Sequence, residues 1–352
     1  MADFITDLYK QIGENDENQD VSDWLNTGVI QLNKAIGGSY DKGLPVGRII
    51  EIFGAESCGK TLLATFAIKE TQKKGGLGVF LDYEHAFSSS RAVALGMSTD
   101  PNQWIYRQPE SAEEGFGIVE KIVELARKYD ATKPITIVMD SVASMMTKAE
   151  LASEYDVEES NAKEKGKSMA NMKTKLSLPS FLSPALKKMA GIVNKTNITL
   201  IFLNQVRDNP GVMYGDKETT PGGRAMKFYA SVRIKLRKGE KIKGDDGDII
   251  GQVVEAEVIK NKVSAPFRKA EYNGSFTEGI DLHATLLNEA VEMGLIEKAG
   301  AYLVGLDGKK LYRSVMEKAM RAEPKVYDAL LSSVMKHVKV KEVVAEEMET
   351  AA

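Results

Sequence analysis

Short, nearly continuous apolar runs alternate with longer segments of helical periodicity through the middle of the chain. RIIEIF (48–53), GVFLDYE (78–84), ITIVMD (135–140) and ITLIFLNQ (198–205) read as buried strands. TLLATFAIKETQKK (61–74) and SAEEGFGIVEKIVELARKYD (111–130) read as helices between them. Strands apolar on both faces and separated by helices predict an α/β fold with a mostly parallel, twisted sheet covered on both sides. SVRIKLRK (231–238) and VVEAEVIKNK (253–262) alternate and flank the turn-rich KIKGDDGD, which predicts an antiparallel extension of that sheet. From about residue 277 the pattern turns helical again (LHATLLNEAVEMGLI, 282–296) and the chain ends in an acidic tail.

Near the start, Phe4, Ile5, Leu8, Tyr9 and Ile12 make one apolar stripe at helical spacing, followed by the polar GENDENQD. A short helix on such an arm must bury its stripe on the parent core or on another subunit. The expected organisation is an N-terminal helix and linker at 1–30, a large core at 31–276, and a small C-terminal α/β domain at 277–352. Two segments are too long for plain connectors, 151–185 and 206–223, the second reading VRDNPGVMYGDKETTPGG. Long loops in a compact domain serve a function or are disordered. Both follow strand ends on the carboxyl side of the sheet, where open α/β folds bind ligands.

Composition narrows the classes. At 43% hydrophobic and 28% charged over 352 residues, with one cysteine, the chain excludes collagen-like, disulfide-framework and wholly disordered readings. No apolar run reaches the roughly 18 residues of a membrane span, and the acidic N-terminus lacks a secretory pattern. A cytoplasmic protein is expected, with no membrane partner. The net charge of −3 excludes holding nucleic acid by global charge alone. The charge is uneven, however. Residues 161–190 carry lysines at 163, 165, 167, 173, 175, 187 and 188 against Glu164.

The strongest motif is Gly54-Ala55-Glu56-Ser57-Cys58-Gly59-Lys60-Thr61, after a strand and opening a helix. It fits the phosphate-binding pattern G-x-x-x-x-G-K-[ST]. Glycines let backbone N–H groups curl round phosphate oxygens, the helix N-terminus adds positive potential, Lys60 reaches the terminal phosphates, and the Thr61 hydroxyl faces Mg²⁺. Asp140, at the tip of ITIVMD, is placed to hold the metal's water shell. Hydrolysis needs a water-orienting carboxylate; Asp82 and Glu84 both qualify, and Glu84 is preferred because it stands nearer the strand end. His85 and Cys58 read as structural.

GAESCGKT, VFLDYEHAF, IVMDSVASM, LIFLNQVR, GVMYGDKETTPGGRAMKFYASVRI, VIKNKVSAPF and TEGIDLH occur in one order over roughly residues 30–300. Together they resemble the RecA family of homologous-recombination ATPases. The resemblance implies a P-loop core with ATP and Mg²⁺. It implies head-to-tail helical filaments, single- and double-stranded DNA as partners, and DNA-stimulated ATP hydrolysis coupled to strand exchange. Glu84 then falls on the catalytic carboxylate and Gln205 on the glutamine that senses the γ-phosphate. Lys260 and Lys262 match lysines that reach ATP on the neighbouring subunit, and Phe228 an interface aromatic. The two long segments coincide with DNA-binding loops at about 152–183 and 206–223. This implies DNA contacts from Lys163, Lys165, Lys167 and Lys187 in the first region. In the second it implies contacts from Arg207, Met213, Gly222 and Gly223.

The chain departs from the family's pattern at several points. Arg91 stands where an adenine-stacking tyrosine is usual, Ser88 at an aspartate position, and Asn209-Pro210 where a lysine and an aliphatic residue are usual. The stretch from Asp140 to Gln205 is longer than in typical bacterial members, the extra length falling in the first loop. Two other readings use the same core: a hexameric helicase-like DNA motor, and a nucleotide-switched filament scaffold or regulator.

Overall fold

A computed structural model describes residues 20–129, 132–152, 177–208, 218–244 and 246–350, with side chains described as far as residue 337. The expected N-terminal stripe, Lys163, Lys165, Lys167 and Met213 lie outside the described residues. No described helix is long and apolar enough to cross a membrane.

The main sheet has nine strands among the described residues. In chain order they are β1 (Ile49–Gly54), β2 (Leu77–Asp82), β3 (Trp104–Arg107), β4 (Ile135–Asp140) and β5 (Ile198–Gln205). β6 (Val232–Lys243), β7 (Ile249–Asn261), β8 (Lys269–Ser275) and β9 (Gly279–Ile280) follow. Their spatial order is β9-β8-β7-β6-β1-β5-β4-β2-β3. From β6 to β3 neighbouring strands are parallel, and from β6 to β9 they are antiparallel.

The expected antiparallel extension begins one strand later than the alternation suggested. Val232–Lys243 runs parallel to β1, with Ile234 opposite Ile52, and only β7 reverses direction. Its direction is set by the crossover through α6 (Arg224–Tyr229), which brings the chain back to the starting edge. Periodicity carries no information on direction. The short edge strand β3 and the extension of helix into the first long segment also went unanticipated. Residues 177–183, expected in the loop, begin α5 (Ser177–Val193), whose Leu178, Leu182, Leu186 and Met189 line up on one buried face.

The two faces of the sheet are read directly from strand period. On β5, Ile201 and Leu203 turn to one side, against Leu63, Ala64 and Ala67 of α2 (Lys60–Lys73). Leu200 and Phe202 turn to the other, against α5 and against Phe116 and Val119 of α4 (Ala112–Lys128). α4 starts where Ser111 caps it by accepting from the Glu114 N–H at 3.2 Å. It carries Glu113 and Glu114 in its first turn and Arg127 and Lys128 in its last, both matched to the helix dipole.

Beyond the sheet, α7 (Leu282–Glu292), a three-stranded antiparallel sheet (297–299, 302–304, 310–312) and α8 (Arg313–Ala322) pack with α9 (Pro324–Thr350). Leu286, Leu287, Ile296, Leu303, Met316, Met320 and Val334 form their core, joined by Ile30 and Tyr40 from near the start of the described chain.

Candidate nucleotide and polynucleotide site

β1 ends in the glycine-rich loop and α2 begins at Lys60, so the loop is held between a central strand and a buried helix. Two of its residues have to be glycine. A Cβ on Gly54 would stand 2.3 Å from the Leu236 carbonyl oxygen, and Gly59 adopts φ +93°. Cys58 is fully buried against this loop, and burial pushes its thiol up. Lys60 donates to the carbonyls of Gly54 at 3.1 Å and Ala55 at 2.8 Å, which fold its ammonium back over the loop.

The loop opens into a cleft of about 660 Å³. Glu56, Ser57, Gly59, Lys60, Thr61, Glu84, Arg91, Asp140 and Gln205, all singled out in the sequence, line it together. Thr61 donates to an oxygen of Asp140 at 2.9 Å. Burial, opposed by that hydrogen bond and reinforced by Glu84 and Asp82, pushes the Asp140 carboxyl up to about 7. A buried carboxylate beside a hydroxyl, both lining one cleft, is an oxygen donor set that would suit hydrated Mg²⁺.

The geometry distinguishes the two strand-end carboxylates. Asp82 is buried and its oxygens accept from the Glu84 N–H at 3.1 Å, the Phe87 N–H at 3.1 Å and the Tyr106 hydroxyl at 2.8 Å. It anchors the turn. Glu84 faces the cleft, and its Oε1 accepts from the Ser141 hydroxyl, from Ser144 at 3.4 Å and from the Gln205 amide at 3.1 Å.

Some functional positions left no signal in the motif reading. Gln252 on β7 donates to the Ser57 carbonyl at 2.7 Å, bracing the phosphate loop from a strand some 195 positions away. Phe276, half exposed, lines the same cleft as Arg91. Neither belongs to a local motif; TEGIDLH lies just beyond Phe276 and is the nearest cue.

Other predicted residues stand elsewhere. Lys260 and Lys262 do not line the cleft. Lys260 donates to the carbonyls of Lys227 at 2.7 Å and Phe228 at 2.8 Å, at the end of α6. Desolvation, with Lys262 and Arg233 nearby, lowers it to about 8. Lys262 sits 5.9 Å from the ring of Phe228, which is itself largely exposed. Arg207 is exposed where β5 hands over to the second loop, pairing with Thr219 across its neck. Gly223 is exposed. Gly222 is buried, a Cβ there meeting Leu182 at 2.9 Å, so its place is packing against α5. Lys187 is exposed on α5, and its neighbour Lys188 pairs with Glu120 at 2.7 Å.

Comparison with known proteins agrees with this assembly. Residues 4–281 match the model of the RecA N-terminal domain. Protein RecA of Chloroherpeton thalassium is 40% identical over 312 residues, covering 88% of this chain and 80% of that protein. Protein RecA of Bacteroides thetaiotaomicron is 41% identical over 287 residues, 82% of this chain and 79% of that protein. Protein RecA of Lactococcus lactis is 41% identical over 295 residues, 83% and 69% respectively. These relatives favour a recombinase over the ring-forming motor and the switched scaffold. With a phosphate loop, a strand-end carboxylate and a glutamine at the root of a long loop in one cleft, the chain belongs to the RecA family of ATP-dependent DNA recombinases.

Proposed function

We propose that the cleft binds ATP at the seam between consecutive copies in a head-to-tail filament on single-stranded DNA, and that hydrolysis releases the filament after strand exchange. Gly54–Thr61 cradle the phosphates, with Lys60 on the terminal ones. Thr61 and Asp140 hold the magnesium ion, which neutralises phosphate charge. Arg91 and Phe276 flank the base; a guanidinium plane stacks on a purine as an aromatic ring does. Glu84 orients the attacking water and accepts its proton. Lys260 and Lys262, outside the cleft of their own chain, serve the neighbour's phosphates. The lysines of the first long segment, with Arg207, Met213 and Gly223, hold the strand by backbone charge and stacking.

One observation carries this reading. The Gln205 amide touches Glu84 at 3.1 Å and ends the strand from which the second loop leaves. A γ-phosphate arriving at Glu84 competes for that amide, so nucleotide occupancy alters the root of the loop. Phosphate release measured with and without oligothymidine, beside electron microscopy of the nucleotide-bound mixture, tests it. The expected result is DNA-stimulated turnover and helical filaments; neither appearing sinks the proposal.

A further inference from the structure

We propose that Asn204 is a positioning residue that clasps the neck of the second loop, so that both ends of the loop follow the contact made at Gln205. The inference rests on the DNA-loop reading above. Asn204 is fully buried and every polar atom of its amide is used. Its Oδ1 accepts from the Gln205 N–H at 3.0 Å, and its Nδ2 donates to the Pro221 carbonyl at 3.1 Å and to Glu51 at 3.0 Å. One side chain thereby joins the strand end to the returning chain, 17 positions later.

The clasp is backed by a buried ion pair. Glu51 on β1 is fully buried, and its second oxygen accepts from Arg233 Nε at 2.5 Å. The Arg233 guanidinium lies 4.7 Å from the Phe53 ring centroid. Buried ion pairs add little stability over apolar packing of similar volume, and in some proteins they serve to aim a polar group. Here the aimed group is the Asn204 amide: Glu51 Oε1 takes one donor and orients the other toward Pro221. Outside the clasp, Arg207 and Asp208 pair with Thr219 and Glu218, and Lys235 holds Glu218. Beyond it, Pro221 leads into α6, whose last carbonyls are held by Lys260. A shift at Gln205 therefore reaches the far end of the loop through one rigid amide, on the side facing the lysine pair.

The test uses the full chain and Asn204→Leu, which keeps a similar volume, adds no charge beside Glu51 and removes both donors. A fluorescent oligothymidine is titrated with and without a non-hydrolysable ATP analogue and magnesium. Affinity for a fluorescent ATP analogue and thermal melting are followed in parallel. The nucleotide-induced gain in DNA affinity should fall about tenfold, while nucleotide affinity stays within about twofold of the parent. A gain equal to the parent's, or a parallel loss of nucleotide affinity, overturns the clasp. If the variant does not fold, hydrogen exchange in the parent decides. Residues 218–229 should gain protection when the analogue binds without DNA, and unchanged exchange there overturns the proposal. A parent chain with no nucleotide-induced gain sinks the DNA-loop reading, and the clasp with it.

Discussion

The phosphate loop and the lysine pair at the end of β7 are both proposed to serve ATP, yet they are finished to different degrees within one chain. In the cleft, a strand end, a helix start and a strand-tip carboxylate converge, and each group already meets another member of the site. Lys260 stands near the end of an antiparallel strand outside that cleft, with Lys262 just beyond it, and Lys260 spends its hydrogen bonds on the chain's own backbone at Lys227 and Phe228. Those carbonyls hold the ammonium at lower cost than water-free burial alone, but desolvation still lowers it to about 8. On the proposed reading, the contrast means that one half of the site is built by folding and the other is completed by assembly.

Breaking the finished half should cost most. Glu84→Gln removes the base and keeps the shape, and ATP turnover should fall on the order of a thousandfold with nucleotide binding retained. Phosphate release and equilibrium nucleotide binding, measured together, check this; turnover close to the parent's would assign the water to another group. Lys60→Ala should lower turnover about a hundredfold or more and abolish the nucleotide-induced gain in DNA affinity. Tight, ATP-responsive DNA binding in that variant would count against the loop.

The unfinished half should respond through assembly and pH. Free Lys260 loses its proton as pH rises through about 8, whereas a lysine facing a neighbour's phosphates keeps it. Assembly then takes up a proton, so it should weaken by about tenfold per pH unit above 8. Lys260→Arg, whose guanidinium stays charged, should remove that dependence. Sedimentation across a pH series reads both; identical profiles would detach Lys260 from the seam. The smallest effect is expected at the exposed Lys187. Its change to Ala should reduce the salt slope of DNA binding by about 1 at most, and an unchanged slope assigns it to solvent.

Much of this is legible in the sequence. The phosphate loop and Asp140 were readable because each is a local device: a turn that needs particular backbone freedom, or a carboxylate ending an apolar run; Gln205 was reached only through the family resemblance. The alternation of Ile201 and Leu203 with Leu200 and Phe202 also implied two covered faces. Less was visible where partners come from distant strands. Asp82 and Glu84 both qualified on paper, with Glu84 preferred for its place near the strand end; the physical contrast between them came only with the Phe87 N–H and the Tyr106 hydroxyl that claim Asp82. Gln252 and Phe276 reach the cleft because β7 and β8 lie beside β6, which no nearby residue announces.

Sequence alone settled what kind of chemistry this chain can do, since that depends on residue types at short, fixed spacings along the backbone. Tertiary structure decided that Asp82 is held in its turn while Glu84 faces the cleft, which way β6 runs, and that Asn204 ties two ends of a loop together. Those outcomes depend on which donors and acceptors remain unpaired after long-range packing, a quantity that no local stretch of residues contains.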